Sequence, residues 1–220
     1  MTQIISIEGN IGSGKSTLLS YLQKEFKDDK NIIFLTEPVD EWNKIVDEHG
    51  TTMLQKFYEN QEKYSFPFQM LAFISRLSLL KNTIIANPNA IIITERSLYT
   101  DKMVFAKMLY DSGKIEYINY QIYLNWFNTF ADDFIINKII YVKVLPEICF
   151  NRINIRSRAG EDNIPIEYLT NCHEYHENMI KTMIDTNICN KQLVLDGNVN
   201  IYKNDEYLHS WITQIKEFIK

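Results

Sequence analysis

Residues 6–19 read SIEGNIGSGKSTLL. Gly9, Gly14, Lys15 and Ser16 fit the spacing G-x-x-x-x-G-K-[ST], and they follow an apolar run and open a segment of helical periodicity. In that setting the spacing has a mechanical meaning. Glycines let successive backbone N–H groups, here those of Gly9, Asn10, Ile11, Gly12, Ser13 and Gly14, wrap around phosphate oxygens, while the start of the following helix adds partial positive charge. Lys15 supplies a point charge, the Ser16 hydroxyl suits Mg²⁺, and Thr17 completes the cradle. A nucleoside triphosphate such as ATP is the expected donor. The loop alone leaves the acceptor open.

Outward from this loop, five short apolar runs recur at 3–7, 31–36, 90–94, 138–144 and 192–196. Their Ile/Val content and lack of alternation predict strands buried on both faces. Stretches of helical spacing lie between them, at 15–27 and again from Leu98, where Met103, Val104, Met108 and Leu109 return every few residues. Pro88, Pro146 and Pro165 fall outside or at the start of such stretches, as a missing N–H requires. Strand and helix in alternation predict an α/β fold, a doubly wound five-stranded parallel sheet with helices on both faces, its ligands at the carboxyl ends of the strands. With 220 residues, one domain over 1–220 is expected.

The formal net charge of −5 argues against a broad nucleic-acid surface, which needs a basic face. Cys149, Cys172 and Cys189 have no metal-ligand spacing and read as free thiols in a reducing compartment. The start MTQIISIEGN carries no basic n-region or Arg-rich leader, and no run is long and apolar enough to span a bilayer. A soluble, cytoplasmic protein without a membrane partner is expected.

The acceptor is to be sought at the neighbouring strand ends. FLTEPVDEW puts Glu37 after the second strand and IIITERSLYTD puts Glu95 after the third, both at the phosphate-loop edge. Pro38 holds its predecessor extended, which aims Glu37 out of the strand end, although a strand-end acid is also commonly a helix cap. Arg96 sets a fixed cation beside Glu95, an arrangement suited to a metal and a reacting hydroxyl, or to a structural ion pair. RINIRSRAGED carries Arg152, Arg156 and Arg158, a cluster of guanidinium forks fit to neutralise a transferring phosphoryl group. YSFPFQMLAFISRLSLL is an aromatic-rich helix whose Gln69 and Arg76 lie two turns apart. The Gln69 amide suits a nucleobase edge with Phe68 stacked on the ring, and it equally suits a satisfied core position.

Taken together, these motifs resemble the deoxyribonucleoside kinases, the family of deoxycytidine, deoxyguanosine and insect multisubstrate kinases. The resemblance runs from EGNIGSGKST through EPVDEW, FYENQEKYSFPFQ and ERSLYTD to RINIRSRAGEDNIPIEYL, about residues 3–175, and is weaker beyond. It implies transfer of the ATP γ-phosphate to the 5′-hydroxyl of a deoxynucleoside in nucleotide salvage. Glu37 would be the base, Arg96 would hold that hydroxyl, and Glu95 with Ser16 would lie at the metal. Tyr58 and Glu161 would bind the 3′-hydroxyl, Gln69 the base edge, Phe68 and Phe105 would sandwich the ring, and Trp42 would line the pocket. Arg152, Arg156 and Arg158 would belong to a lid at about 152–164, and the family's habit implies a homodimer.

The thymidine-accepting branch looks apolar at the positions of Ala72, Arg76 and Asp101. A carboxylate there accepts from an exocyclic amine, or holds Arg76 towards a carbonyl, and thymine suits neither. Deoxycytidine or a deoxypurine is therefore expected over thymidine. A nucleoside monophosphate kinase similar to thymidylate kinase is the nearest alternative, disfavoured because EPVDEW brings three acids and no cation to the acceptor end. A non-catalytic relative, such as the kinase-like accessory subunit of the respiratory NADH dehydrogenase, is opposed by Lys15, Ser16, Glu37, Glu95, Arg96 and the three lid residues Arg152, Arg156 and Arg158 all being present.

Overall fold

A computed structural model describes residues 2–131, 133–156, 164–189, 191–201 and 204–220. Its strands are β1 (Gln3–Glu8), β2 (Ile32–Leu35), β3 (Ile91–Glu95), β4 (Lys138–Lys143) and β5 (Gln192–Asp196). They form one parallel sheet in the order β2-β3-β1-β4-β5. The five expected runs are these strands, displaced by a residue at some ends.

The helices in chain order are α1 (Lys15–Glu25), α2 (Val39–Asn43), α3 (Met53–Glu59), α4 (Gln61–Ala86), α5 (Leu98–Thr100), α6 (Lys107–Asp111), α7 (Tyr117–Phe130), α8 (Pro146–Arg156), α9 (Ile166–Asp185) and α10 (Asp205–Ile219). Between α5 and α6 the turn widens into a π-helix over Asp101–Ala106. Periodicity from Leu98 onward predicts a helix there but not its pitch, since apolar spacing of three to five residues suits both. Pro67 lies inside α4, where its ring forgoes one helical hydrogen bond.

The missing alternation of the central strands has a simple cause. Ile5, Ile7, Ile93, Ile140 and Val142 face one side, against Leu18, Leu19 and Leu22 of α1 and Trp211 and Ile215 of α10. Ile4 and Ile92 face the other, against Phe73 of α4 and Tyr123 and Phe127 of α7. Ile139 and Tyr141 share that second side with Met179 and Met183 of α9. Side chains still alternate, but both faces are apolar. Burial on both faces fails at the edges. β2 is only half-buried throughout, and Val194 and Asp196 of β5 are exposed, because an edge strand has a neighbour on one side only. Phe73 is fully buried, so Phe73→Ala removes packing worth about 3–5 kcal/mol.

Central β1 carries the loop, β3 and β4 flank it, and every strand end that bears chemistry opens at the same edge.

Candidate active site

At Gly9 and Gly12 the loop runs too close to its neighbours for a side chain. Gly9 has φ +146°, and a Cβ there would lie 2.6 Å from the Val142 carbonyl of β4. Gly12 has φ +77°, and its Cβ would lie 2.7 Å from the Cys149 carbonyl of α8. Asn10 ties the loop to α9, donating to the Leu169 carbonyl at 2.8 Å and accepting from the Ile11 N–H at 2.8 Å. Lys15 is buried and donates to the Asn10 carbonyl at 2.7 Å. Burial, then the neighbouring Arg96, lower its ammonium to about 8 against the pull of Glu95 and Glu37. Ser16 Oγ donates to Glu95 Oε1 at 2.6 Å, so the loop hydroxyl and the β3 carboxylate meet at one point.

Glu37 stands two residues past β2, between two guanidinium groups. Arg96 Nη1 donates to both of its oxygens at 2.7 and 2.8 Å, and Arg76 Nη2 donates to Oε1 at 3.0 Å. Burial alone would raise this carboxyl, but Arg96, Arg76 and Lys15 outweigh it and hold it down to about 2. Arg76 also donates to Asp101 Oδ2 at 2.9 Å and to the Glu95 carbonyl at 2.7 Å. One side chain thus spans three acidic residues. Burial pushes Asp101 up to about 6, against Arg76. The acid-Arg pair expected at the end of β3 is therefore a pair across strands, since Arg96 reaches Glu37 rather than its neighbour Glu95.

These groups line one cavity of about 430 Å³, which also takes in Trp42, Tyr58, Phe68, Gln69, Ala72 and Phe105. That size suits a small ligand with convergent polar groups. Phe68 stacks on Phe57 at 4.7 Å between centroids and meets Trp42 edge-on at 5.4 Å, which fixes its ring. The Trp42 indole N–H is taken by Ser75 Oγ at 2.8 Å, leaving Trp42 an apolar wall. Phe105 lies on the π-helix with the Arg96 guanidinium 5.2 Å from its centroid. Gln69 also turns towards this cavity. It is buried and its Oε1 has no partner among the described residues, which a satisfied core amide would have. Arg96 Nε is likewise buried and without a partner among them.

Arg152 and Arg156 also line the cavity, inside α8 rather than after it. The first part of the expected lid is thus the last turn and a half of a helix. Arg152 donates to the Ser13 carbonyl at 3.3 Å and to the Gly197 and Val199 carbonyls at 2.9 and 3.3 Å, so its donors rest on backbone rather than stand open. Arg158 and Glu161, with the remainder of the lid at 157–163, lie outside the described residues. Sequence reasoning missed Tyr168 and the segment from Val199 to Ile201 with Trp211, all on the same cavity. The available signal was topological: a loop leaving β5 opens at the edge that carries the phosphate loop.

Mg²⁺ takes oxygen ligands and binds through one or two carboxylates plus substrate phosphates. The Ser16 hydroxyl and Glu95 carboxylate fit that pattern. Among the described residues no group of three or more His, Cys, Asp or Glu forms a metal cage, and such a metal needs none.

The family model "Deoxynucleoside kinase" matches residues 5–220. The chain belongs to that family. Relatives agree over nearly its whole length. Deoxycytidine kinase 1 of Xenopus laevis is 33% identical, covering 98% of this chain and 89% of its own. Deoxycytidine kinase of Homo sapiens is 34% identical over 98% of this chain and 90% of its own, and the mitochondrial deoxyguanosine kinase of Xenopus laevis is 30% identical over 80% and 72%. The protein is a deoxynucleoside kinase of the P-loop fold, and the thymidylate-kinase-like and non-catalytic alternatives give way. Among the described residues, no helix of the kinase is long and apolar enough to cross a membrane.

Proposed function

We propose that the kinase transfers the γ-phosphoryl group of ATP to the 5′-hydroxyl of deoxycytidine or a deoxypurine nucleoside, in preference to thymidine. The observation that carries this reading is the placing of Glu37, under Arg96 and Arg76, in the same cavity as Lys15 of the phosphate loop. Residues 9–17 bind the donor phosphates, with Lys15 on the transferred group. Glu37 accepts the hydroxyl proton as the new O–P bond forms and the bond to the β-phosphate oxygen breaks, releasing ADP. A carboxyl held at about 2 is a weak base, and it suffices because in a loose phosphoryl-transfer transition state the proton departs late, once bonding has made the hydroxyl acidic. Arg96 holds the hydroxyl and, with Arg156 and Arg158, offsets charge on the transferring group. Ser16 and Glu95 would hold Mg²⁺, which would screen the phosphates' charge.

Gln69, Arg76 and Asp101 read the base, Phe68 and Phe105 enclose it, Trp42 walls it, and Tyr58 with Glu161 holds the sugar's 3′-hydroxyl. A carboxylate and an amide oxygen facing the base favour a ring that presents an exocyclic amine.

A homodimer is part of this reading. Ile118, Ile122, Trp126 and Phe130 recur every four residues along α7 and are 64, 42, 41 and 46% exposed, a continuous apolar stripe on a helix that packs on α4. Three buried free thiols suit a cytoplasmic setting.

Labelled ATP with Mg²⁺, offered the four deoxynucleosides, their monophosphates and the ribonucleosides, tests the function. Label is expected in deoxycytidine or deoxypurine monophosphate ahead of thymidylate. Thymidine as the best acceptor overturns the base reading.

A further inference from the structure

Among the buried polar side chains, one acidic residue has no part in the chemistry above. Glu8 ends β1, immediately before the phosphate loop, and is fully buried. Its oxygens are taken by two hydroxyls, Ser6 Oγ on Oε1 and Thr100 Oγ1 on Oε2. A buried acid is costly even when hydrogen-bonded, so its place calls for a reason.

A carboxylate only accepts, so the Thr100 hydroxyl spends its single hydrogen on Glu8 and becomes an acceptor for the next group. Ser97 Oγ lies 3.2 Å away and donates to it, while itself accepting from the Thr100 N–H at 3.2 Å. The backbone N–H sets the direction at Ser97, and the bond to Glu8 sets it between the two hydroxyls. Together these bonds pin the first turn of α5 to the end of β1.

Arg96 directly precedes that turn, and its backbone has φ +62°. A side-chain-bearing residue visits this left-handed region sparsely and stays there only where its surroundings over-determine it. On the near side Arg96 N–H donates to the Ile7 carbonyl at 3.0 Å. On the far side the Ser97–Thr100–Glu8 chain takes over.

The geometry points to Glu8 as a positioning residue for Arg96, acting through Thr100 and Ser97 to lock the turn that presents the Arg96 guanidinium to Glu37. This rests on the reading in which Arg96 meets the reacting hydroxyl.

The test uses the full chain. Thr100→Val removes the hydroxyl with little change of shape, Thr100→Ser keeps it, and Glu8→Gln turns one of the two acceptor oxygens that Ser6 and Thr100 share into a donor. Misplacing a group at the reacting centre costs rate rather than binding, so Thr100→Val and Glu8→Gln are expected to lower kcat roughly 10- to 100-fold with both KM values within about twofold. Thr100→Ser should keep kcat within about twofold of the parent, and Glu8→Gln with Thr100→Val should cost no more than the worse single change, since both cut one chain. A folded Thr100→Val protein with parental kcat overturns the inference. So does equal loss in the Val and Ser variants, or KM rising in step with the loss, because packing alone then explains the effect. Should Glu8→Gln fail to fold, the Thr100 pair decides. Arg96→Gln checks the underlying reading separately: parental kcat there sinks the role of Arg96, whereas a collapse there beside an unchanged Thr100→Val sinks only the role of Glu8.

Discussion

Arg96 donates from a single guanidinium nitrogen to both oxygens of Glu37, at 2.7 and 2.8 Å. The contact joins the ends of β2 and β3, strands that are neighbours in the sheet, at the level of the phosphate loop. It makes Glu37 both fixed and ionised. Replacing it by Gln keeps the shape and a hydrogen-bonding oxygen but removes the proton acceptor. We expect kcat to fall by roughly 10² to 10⁴ with little change in nucleoside KM. A higher KM at undiminished kcat, in steady-state assays, would assign Glu37 to binding alone.

Lys15 carries a pH signature in donor binding. Its ammonium is lowered to about 8 in the free protein, first by burial and then by Arg96. Only the protonated form attracts phosphate, so ATP affinity should strengthen as pH falls through about 8 and weaken above it, by up to about tenfold per pH unit. The effect on folding has the same origin. Unfolded Lys15 takes its proton near 10.5 and folded Lys15 near 8, so stability is lost as pH falls across that window. Calorimetric titration at pH 7 and 9 checks the first expectation, and a pH-independent affinity would contradict it. Lys15→Ala should abolish turnover and leave the circular dichroism spectrum unchanged, because the missing charge acts on the transition state.

Much of this was legible before any coordinates. The strands were, because two apolar faces leave uninterrupted Ile/Val runs, and so was the phosphate loop, whose spacing is itself the geometry of the cradle. The Glu37–Arg96 contact was half legible: strand ends at one edge follow from topology, but which cation meets which acid depends on the left-handed backbone of Arg96, which an arginine does not advertise. Gln69 stays open in the sequence because burial and satisfaction are separate properties, and the sequence speaks only to the first; that its Oε1 is unpartnered among the described residues is a property of the fold. The π-helix was hidden for a similar reason, since one extra residue per turn leaves the apolar spacing nearly intact. Arg152 was read by charge as a phosphate ligand, yet a guanidinium also suits backbone carbonyls, and three of them surround it.

The stripe on α7 makes an assembly prediction. Ile122 and Trp126 lie one turn apart at its middle, and Ile74 and Ile85 expose apolar surface on the neighbouring α4. Ile122→Glu with Trp126→Glu should leave the fold intact, because both side chains are already substantially exposed, and should convert a dimer into a monomer by like-charge repulsion across a self-complementary face. Sedimentation velocity reads the outcome directly. A parent that sediments as a monomer would overturn the dimer reading, and an unchanged dimeric mass in the doubly substituted protein would move the interface elsewhere.

The last expectation concerns the base. Asp101 is pushed up to about 6 by burial, against the pull of Arg76, so it is ionised at neutral pH and gains a proton just below it. As a carboxylate it accepts from an exocyclic amine; as an acid it donates, and a donor suits the O4 carbonyl of thymine. The ratio of kcat/KM for deoxycytidine to that for thymidine should therefore shrink as pH is lowered from about 7.5 to about 5.5. Folding gives an independent check. Unfolded Asp101 titrates near 3.8 and folded Asp101 near 6, so its contribution to stability is present below the lower value and lost as pH rises through the higher one. Asp101→Asn should flatten both dependences. Replacing Arg76 and Asp101 together by apolar residues goes further: it removes the titrating group and both charges beside the base, and should raise thymidine use relative to deoxycytidine at every pH. Glu37 then loses one of its two guanidinium partners but keeps Arg96, so turnover should survive the exchange. A selectivity ratio that ignores both pH and the double substitution would mean that Gln69 and the aromatic walls choose the base without Asp101.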